Sequence, residues 1–106
     1  MIDFEKIEEE LIPHLRDGEG TVKARRSFHG NVKIMKFTLE KGTSIGLHRH
    51  ETDCEVYYVL SGVAHVELDG KEEIVKAGQA HYCPKGSAHT VCNRGDEPLI
   101  FFAVIA

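Results

Sequence analysis

The chain has no tryptophan, only three prolines and only three cysteines among its 106 residues. The cysteines, at positions 54, 83 and 92, are odd in number and form no CxxC pair, so they favour reduced thiols over a disulfide framework. No apolar run approaches the ~18 residues that cross a bilayer, and the first residues lack the basic and then apolar pattern of a signal peptide. We therefore expect a cytoplasmic protein with no membrane partner.

Positive charge is also in short supply. Lys and Arg number 13 against 17 Asp and Glu, which gives a net charge of -4 at pH 7. Such a chain cannot offer the basic face that a phosphate backbone requires, so we expect no nucleic-acid partner. What the chain does have is an ordinary globular composition, 42% hydrophobic and 28% charged, which predicts one compact domain over residues 1–106. It also has seven histidines, an unusually high number for this length.

The first dozen residues carry a helical pattern. The apolar residues there recur at helical spacing and are Phe4, Ile7, Leu11 and Ile12. Asp3 is a candidate N-cap, and Pro13 is a candidate stop. This spacing predicts a short amphipathic N-terminal helix.

Beyond this segment, the apolar residues alternate or form short runs between turn signals. Val32 to Leu39 alternates, and Asp69-Gly70 between two such runs is a strong hairpin signal. Turns every 8–12 residues or so predict an all-β sandwich or barrel. The last run, Leu99 to Ile105, is apolar on both faces, so its outer face needs a cover, either the N-terminal helix or a second subunit. We expect a homodimer.

Four side chains have spacings that suit a metal site. His48 and His50 are two apart, which directs both to the same face of a strand. Glu55 follows a polar loop that can reset the strand's phase, and His89 begins a later strand that barrel closure would bring near. Three neutral imidazoles and one carboxylate predict one divalent transition metal ion per chain, of which iron, manganese, nickel, cobalt and zinc are all candidates.

The same residues belong to two longer patterns. Residues 42–62 match G(X)5HXH(X)4E(X)6G, and residues 78–93 match G(X)5PXG(X)2H(X)3N, at all ten fixed positions. The chain thus resembles the cupin superfamily, and most of all its compact single-domain members. The resemblance implies a small jelly-roll β-barrel with a central metal held by His48, His50, Glu55 and His89. The glycines and the proline of the motifs correspond to turn residues.

Residues around the ligands predict a cavity with an apolar wall. By alternation, Tyr57 and Val59 share the face of Glu55, and Met35 and Phe37 supply a matching wall if their face is the inner one. His81 either points into the barrel as a catalytic acid or base, or points outward as an ordinary polar residue.

Three further sets of residues carry weaker signals. Cys83 shares the face of His81 by alternation, and Asn93 is best explained as the cap of a turn. Arg25, Arg26 and Arg49 are candidates to pair with an anionic substrate, although a solvated charge is the commoner role for such residues.

Two functions fit these features. The first is a metal-dependent enzyme acting on a small molecule, with dioxygenase, isomerase or decarboxylase chemistry, in which the ion keeps one or two positions open for water, oxygen or substrate. The second is a non-catalytic metal-containing module that binds or senses a small ligand. The sequence favours the enzyme. Because one fold supports many reactions, it indicates no particular substrate.

Overall fold

The structure is a computed structural model that describes all 106 residues. It contains two 3-10 turns, Phe4–Lys6 and Leu15–Asp17, and ten β-strands. The strands are β1 (Glu10–Pro13), β2 (Thr21–His29), β3 (Val32–Leu39), β4 (Ser44–Arg49), β5 (Glu55–Ser61), β6 (Val63–Leu68), β7 (Lys71–Lys76), β8 (Ala80–Cys83), β9 (Ala88–Cys92) and β10 (Leu99–Ile105). The all-β prediction is confirmed.

The strands form two antiparallel sheets. One has six strands in the order β1-β2-β3-β10-β5-β8, and the other has four in the order β4-β9-β6-β7. The predicted hairpin turn at Asp69-Gly70 joins β6 to β7, and both of its residues have positive φ values, 50° and 82°. Those angles suit a type I′ turn, the turn that Asp-Gly favours between twisted strands.

The alternating residues of the strands build one hydrophobic core cluster. Phe101 of β10 lies at its centre, with its ring 5.4 Å from that of Phe37 and 4.7 Å from that of Tyr57. Fifteen buried apolar residues make up the cluster, contributed by β2 to β7, β9 and β10. Burial of this apolar surface is the main force that holds the strands in place around the site described below.

The predicted amphipathic helix is wrong beyond its first turn. Asp3 does act as an N-cap, because its side chain accepts a hydrogen bond from the backbone N–H of Glu5 at 3.1 Å. The helix ends at Lys6, however, because Ile7 is already extended, with φ of -90° and ψ of 127°. The Arg25 side chain donates to the carbonyl oxygens of Phe4 and Ile7 at this end.

Residues 10–13 then pair with β2 as strand β1. This pairing uses the backbone groups on one side of the strand and leaves alternate side chains only half-buried, so Leu11 stays 64% exposed. The first turn still covers part of β10, since the ring of Phe4 lies 5.2 Å from that of Phe102. No helix in the structure has the length and apolar character needed to span a membrane.

A bulge in β4 determines where the first motif points. Between Ile45 and His48, β4 contains one residue more than the paired segment of β9, and this extra residue brings His48 opposite His89. Gly46 lies within this bulge, and a Cβ there would collide with the carbonyl oxygen of Arg16. The second 3-10 turn therefore packs directly on the bulge, and only glycine permits that approach.

Candidate metal centre

Three strand ends bring the four predicted ligands together. His48 of β4 and His89 of β9 are cross-strand partners. His50 lies just after β4, and Glu55 is the first residue of β5, which returns from the intervening loop. The polar loop thus resets the phase as the sequence suggested, and the carboxylate faces the histidines.

Their ligand atoms converge on one point. Nε2 of His89 lies 3.0 Å from Nε2 of His48, from Nε2 of His50 and from Oε1 of Glu55. The same carboxylate oxygen is 3.0 Å from Nε2 of His50 and 3.7 Å from Nε2 of His48. His50, Glu55 and His89 are buried. A group of four buried or half-buried donors this close is suited to hold one metal ion.

Outer hydrogen bonds set the tautomers of the first two histidines. Nδ1 of His48 lies 2.8 Å from the carbonyl oxygen of Gly46, and Nδ1 of His50 lies 2.7 Å from Oδ1 of Asp53. A carbonyl or carboxylate oxygen can only accept, so both Nδ1 atoms are donors. In the neutral ring each Nε2 is then a free lone pair, directed at the common centre.

The third histidine is held in the same way by another histidine. Nδ1 of His89 lies 2.9 Å from Nε2 of His81, whose own Nδ1 lies 2.9 Å from Oε1 of Glu73. The ring of His89 also stacks on Tyr57, with centroids 5.1 Å apart and planes 16° apart. All three imidazoles therefore present Nε2 to the centre.

The centre has the electrostatics of a cation site. Burial favours the neutral form of Glu55, but protonated forms of the three ligand histidines, which would donate from Nε2, outweigh it and hold the pKa of this carboxyl well below its usual range. A metal ion would take the place of those protons. The Glu55 hydrogen bond raises the pKa of His50, assisted by Asp53, whereas burial lowers the pKa of His89. Burial also raises the pKa of Tyr57, so this hydroxyl stays neutral. One carboxylate and three lone pairs make an acceptor-rich cluster that a divalent ion would complete.

A cavity of about 130 Å³ opens onto this centre. Its floor includes His48, His50 and Glu55, and the other residues that line it are Leu15, Arg16, Arg26, Phe28, Lys33, Met35, Phe37, Ile45, Tyr57 and Ile105. Its wall is thus largely apolar, with three cationic side chains among the lining residues. One of these, Arg26, is already bound by the carboxylate of Glu10 through two hydrogen bonds of 2.8 and 2.6 Å. Arg16 and Lys33 have no such ion pair.

The motif residues and the arrangement of the four ligand side chains agree with a known family. The model of the Cupin domain family matches residues 35–105. The chain belongs to the cupin family. An oxalate-binding protein from Thermotoga maritima is 33% identical to this cupin in an alignment that covers 94% of this chain and 88% of that one.

Two further comparisons define how far this likeness extends. The crystal structure of a predicted oxalate decarboxylase from Thermotoga maritima superposes with a TM-score of 0.93 at 31% identity, covering 99% of this chain and 96% of that one. Mannose-1-phosphate guanylyltransferase 2 from Escherichia coli O157:H7 is 36% identical over 67 residues, which cover 63% of this cupin but only 14% of that enzyme. Cupin domains thus occur in proteins with very different names, and membership alone leaves the reaction open.

The structure separates the predicted cavity residues of this cupin. Met35, Phe37 and Tyr57 line the cavity. Val59 does not: it is fully buried in the core cluster, two residues further along β5 than Tyr57. Alternation assigns a side chain to a face of the strand but gives no depth along it, which is why the prediction for Val59 differs from its position.

His81 does not line the cavity either. It contacts Nδ1 of His89, on the side of that ring away from the other ligand atoms, and it is fully buried. The predicted acid or base role has no contact with the cavity to support it. Cys83 is buried too, and burial raises the pKa of its thiol to about 11. Asn93 serves the turn, because its amide donates to the carbonyl oxygens of Leu39 and Glu97.

Several residues that contact the ligands or line the cavity were not predicted from the sequence. Asp53 lies three residues after His50 in a polar loop, and that spacing could have signalled a partner for the imidazole. Arg16 gave no local signal, because the turn that carries it reaches the cavity only by packing on Gly46. Lys33 alternates with Met35 and Phe37 along β3, so its place on the same face could have been predicted. Glu73 gave no local signal, since its partner His81 lies in the other sheet.

The three arginines that the sequence offered as partners of an anionic substrate already donate hydrogen bonds within the protein. Arg25 donates to backbone carbonyl oxygens, Arg26 to the carboxylate of Glu10, and Arg49 to the carbonyl oxygen of Gly86.

Proposed function

We propose that this cupin is a metal-dependent enzyme that acts on a small anionic molecule. The observation that carries the proposal is the centre itself. Three imidazoles with their Nε2 lone pairs held inward, together with one buried carboxylate, border an accessible cavity. A bound divalent ion would supply Lewis-acid or redox chemistry there, and the residues of the cavity would bind and orient the substrate.

The spacing of the ligand atoms supports an ion with open coordination positions. Two atoms that each lie about 2.1 Å from an ion are about 3.0 Å apart at a right angle and about 3.4 Å apart at the tetrahedral angle. Four of the distances between ligand atoms in the centre are 3.0 Å. The distance between Nε2 of His48 and Oε1 of Glu55 is longer, 3.7 Å. The four short distances would suit adjacent positions around an octahedral ion, in which four protein ligands would leave two positions for exogenous groups.

The charge at the cavity supports a small anion as the substrate class. Arg16 and Lys33 line the cavity and have no carboxylate partner. Arg16 also holds a left-handed backbone conformation, with φ of 54°. Strained conformations of non-glycine residues concentrate at functional sites, because packing must hold them in place. With the metal at one end and these cations near it, the cavity suits a compact carboxylate, and the oxalate named for the Thermotoga relative is of this class.

A non-catalytic binding or sensing role is the alternative. The observation that favours it is the cavity volume of about 130 Å³, which leaves little space for a second reactant beside the ligand. In that case the metal would fix the ligand in place without turnover. The two functions differ in a measurable way, since only the enzyme consumes oxalate or another small carboxylate.

The test uses full-length protein purified without an affinity tag. We expect one divalent ion per chain, and we expect the metal-loaded protein to bind oxalate and to convert at least one small carboxylate, measured by oxygen uptake and by carbon dioxide release. The Glu55→Gln variant should lose both metal and turnover, while the surface variant Glu51→Gln should keep both. Saturable oxalate binding without turnover of any screened carboxylate would favour the sensing role. Failure to bind any divalent ion would overturn both.

We also propose a homodimer in the cytoplasm. The outer face of β10, β5 and β8 carries an apolar patch, because Phe102 pairs with Tyr58 and Tyr82 lies on the same face of β8. Tyr58 and Tyr82 are 46% and 56% exposed, a fraction that a second copy would reduce. All three cysteines are free thiols, which supports a reducing compartment.

A further inference from the structure

His81 and Glu73 form a hydrogen-bond relay that leads from the metal centre to the surface. Nε2 of His81 lies 2.9 Å from Nδ1 of His89, and Nδ1 of His81 lies 2.9 Å from Oε1 of Glu73. His81 is 1% exposed, whereas the side chain of Glu73 is 41% exposed. A buried histidine thus links a metal ligand to a carboxylate that water can reach.

The chemistry of Glu73, His81 and His89 determines which atom donates and which accepts in each hydrogen bond of this relay. The carboxylate of Glu73 accepts a hydrogen bond, so Nδ1 of His81 is the donor. Nε2 of the neutral His81 ring is then an acceptor, and it can only be satisfied by a proton on Nδ1 of His89. That proton leaves Nε2 of His89 as the lone pair that faces the centre. The order of donors and acceptors therefore selects the metal-binding tautomer of His89.

This hydrogen-bond relay differs from the contacts that orient His48 and His50. Gly46 and Asp53 lie two and three residues from the histidines that they hold. His81 lies on β8 and Glu73 on β7, which are the edge strands of different sheets. The orientation of His89 thus depends on a contact between the two sheets, at a point where no backbone ladder joins them.

We propose that His81 and Glu73 are positioning residues that raise the metal affinity of the centre by fixing the tautomer and orientation of His89. The inference rests on the proposed function to the extent that the centre must bind a metal ion. The competing role is purely structural: a side-chain link between two edge strands would stabilise the fold without any effect on the metal. Metal affinity, measured separately from fold stability, distinguishes the two roles.

The experiment titrates full-length protein with Co²⁺ alone at about pH 8, where ordinary imidazoles carry no competing proton. Its readouts are the dissociation constant, from competition with a chromophoric chelator, and the visible absorption spectrum of the bound Co²⁺. His81→Phe keeps the ring shape but removes the acceptor, and it should weaken binding roughly 10- to 100-fold, the usual loss for an outer partner of a metal ligand.

Two further variants keep the test independent of whether His81→Phe folds. His81→Gln restores an acceptor near Nε2 and should recover most of the affinity. Glu73→Gln alters a half-exposed residue, keeps the hydrogen bond and loses its charge, so it should weaken binding by at least roughly threefold. The matched control is Glu72→Gln on the same strand, whose side chain lies near His65 and Arg94 and away from the centre.

The result that would overturn the proposal is a Co²⁺ dissociation constant and spectrum unchanged in both His81→Phe and Glu73→Gln, even if their melting temperatures fall. That outcome would show that the hydrogen-bond relay is only a structural link between the sheets. Equal losses in Glu73→Gln and Glu72→Gln would also overturn it, because they would report general surface charge. Wild-type protein that binds no Co²⁺ would instead contradict the proposed function.

Discussion

Replacement of His89 by alanine removes the ligand that contacts all the others. Its Nε2 lies 3.0 Å from a ligand atom of each of the other three residues, so its loss removes a lone pair from the middle of the cluster. Apparent binding free energies of four-ligand zinc sites are about 10–16 kcal/mol, or roughly 2.5–4 kcal/mol per ligand. We therefore expect His89→Ala to weaken metal binding by about two to three orders of magnitude.

The assay is a metal titration of the full-length variant, with circular dichroism as a check that the β-structure persists. The exposed residue His29 offers a matched control, because His29→Ala also removes one imidazole but lies outside the centre and the cavity lining. The control should bind as wild type does. Full stoichiometry and unchanged affinity in His89→Ala would show that the fourth ligand is assigned wrongly.

Three other outcomes follow from the same structure. Metal affinity should fall as the pH drops, because a metal binds only the deprotonated imidazole. Since the pKa of His50 is raised, the fall should begin above about pH 6.5. A flat affinity between about pH 8 and pH 5 would contradict histidine ligation. Phe101→Ala should lower the free energy of unfolding in urea by about 3–5 kcal/mol, and a loss below about 1 kcal/mol would contradict its place at the centre of the core. Sedimentation should show a dimer at high micromolar concentration, and a strict monomer there would remove the homodimer proposal.

Much of the fold could be predicted from the sequence, because local physics determines it. Alternating residues mark strands whose one face is buried, and Asp69-Gly70 adopts the turn that its backbone preferences favour. The N-terminal segment is the exception. A spacing of three and four residues from Phe4 to Leu11 fits a helix, but the open edge of β2 and the side chain of Arg25 offer its backbone other partners. Those partners are distant in sequence and leave no local signal.

The candidate site divides in the same way. The four ligands have motif spacings, so their convergence could be predicted from the resemblance and from strand geometry. The groups that surround them depend on how the two sheets face each other. Whether His81 faces the cavity or the back of His89 is decided by the position of β8 against β9, and alternation along one strand carries no information on this.

The most direct test of the account is the coordination of the ion in metal-loaded wild-type protein, measured by X-ray absorption together with metal content. We expect one divalent ion per chain, bound by His48, His50, Glu55 and His89, with one or two exogenous oxygen ligands on the side of the cavity. A six- or five-coordinate ion whose oxygen ligands are displaced by oxalate would agree with the proposed enzyme. A closed four-coordinate ion without exogenous ligands, or a chain that retains no ion, would contradict it.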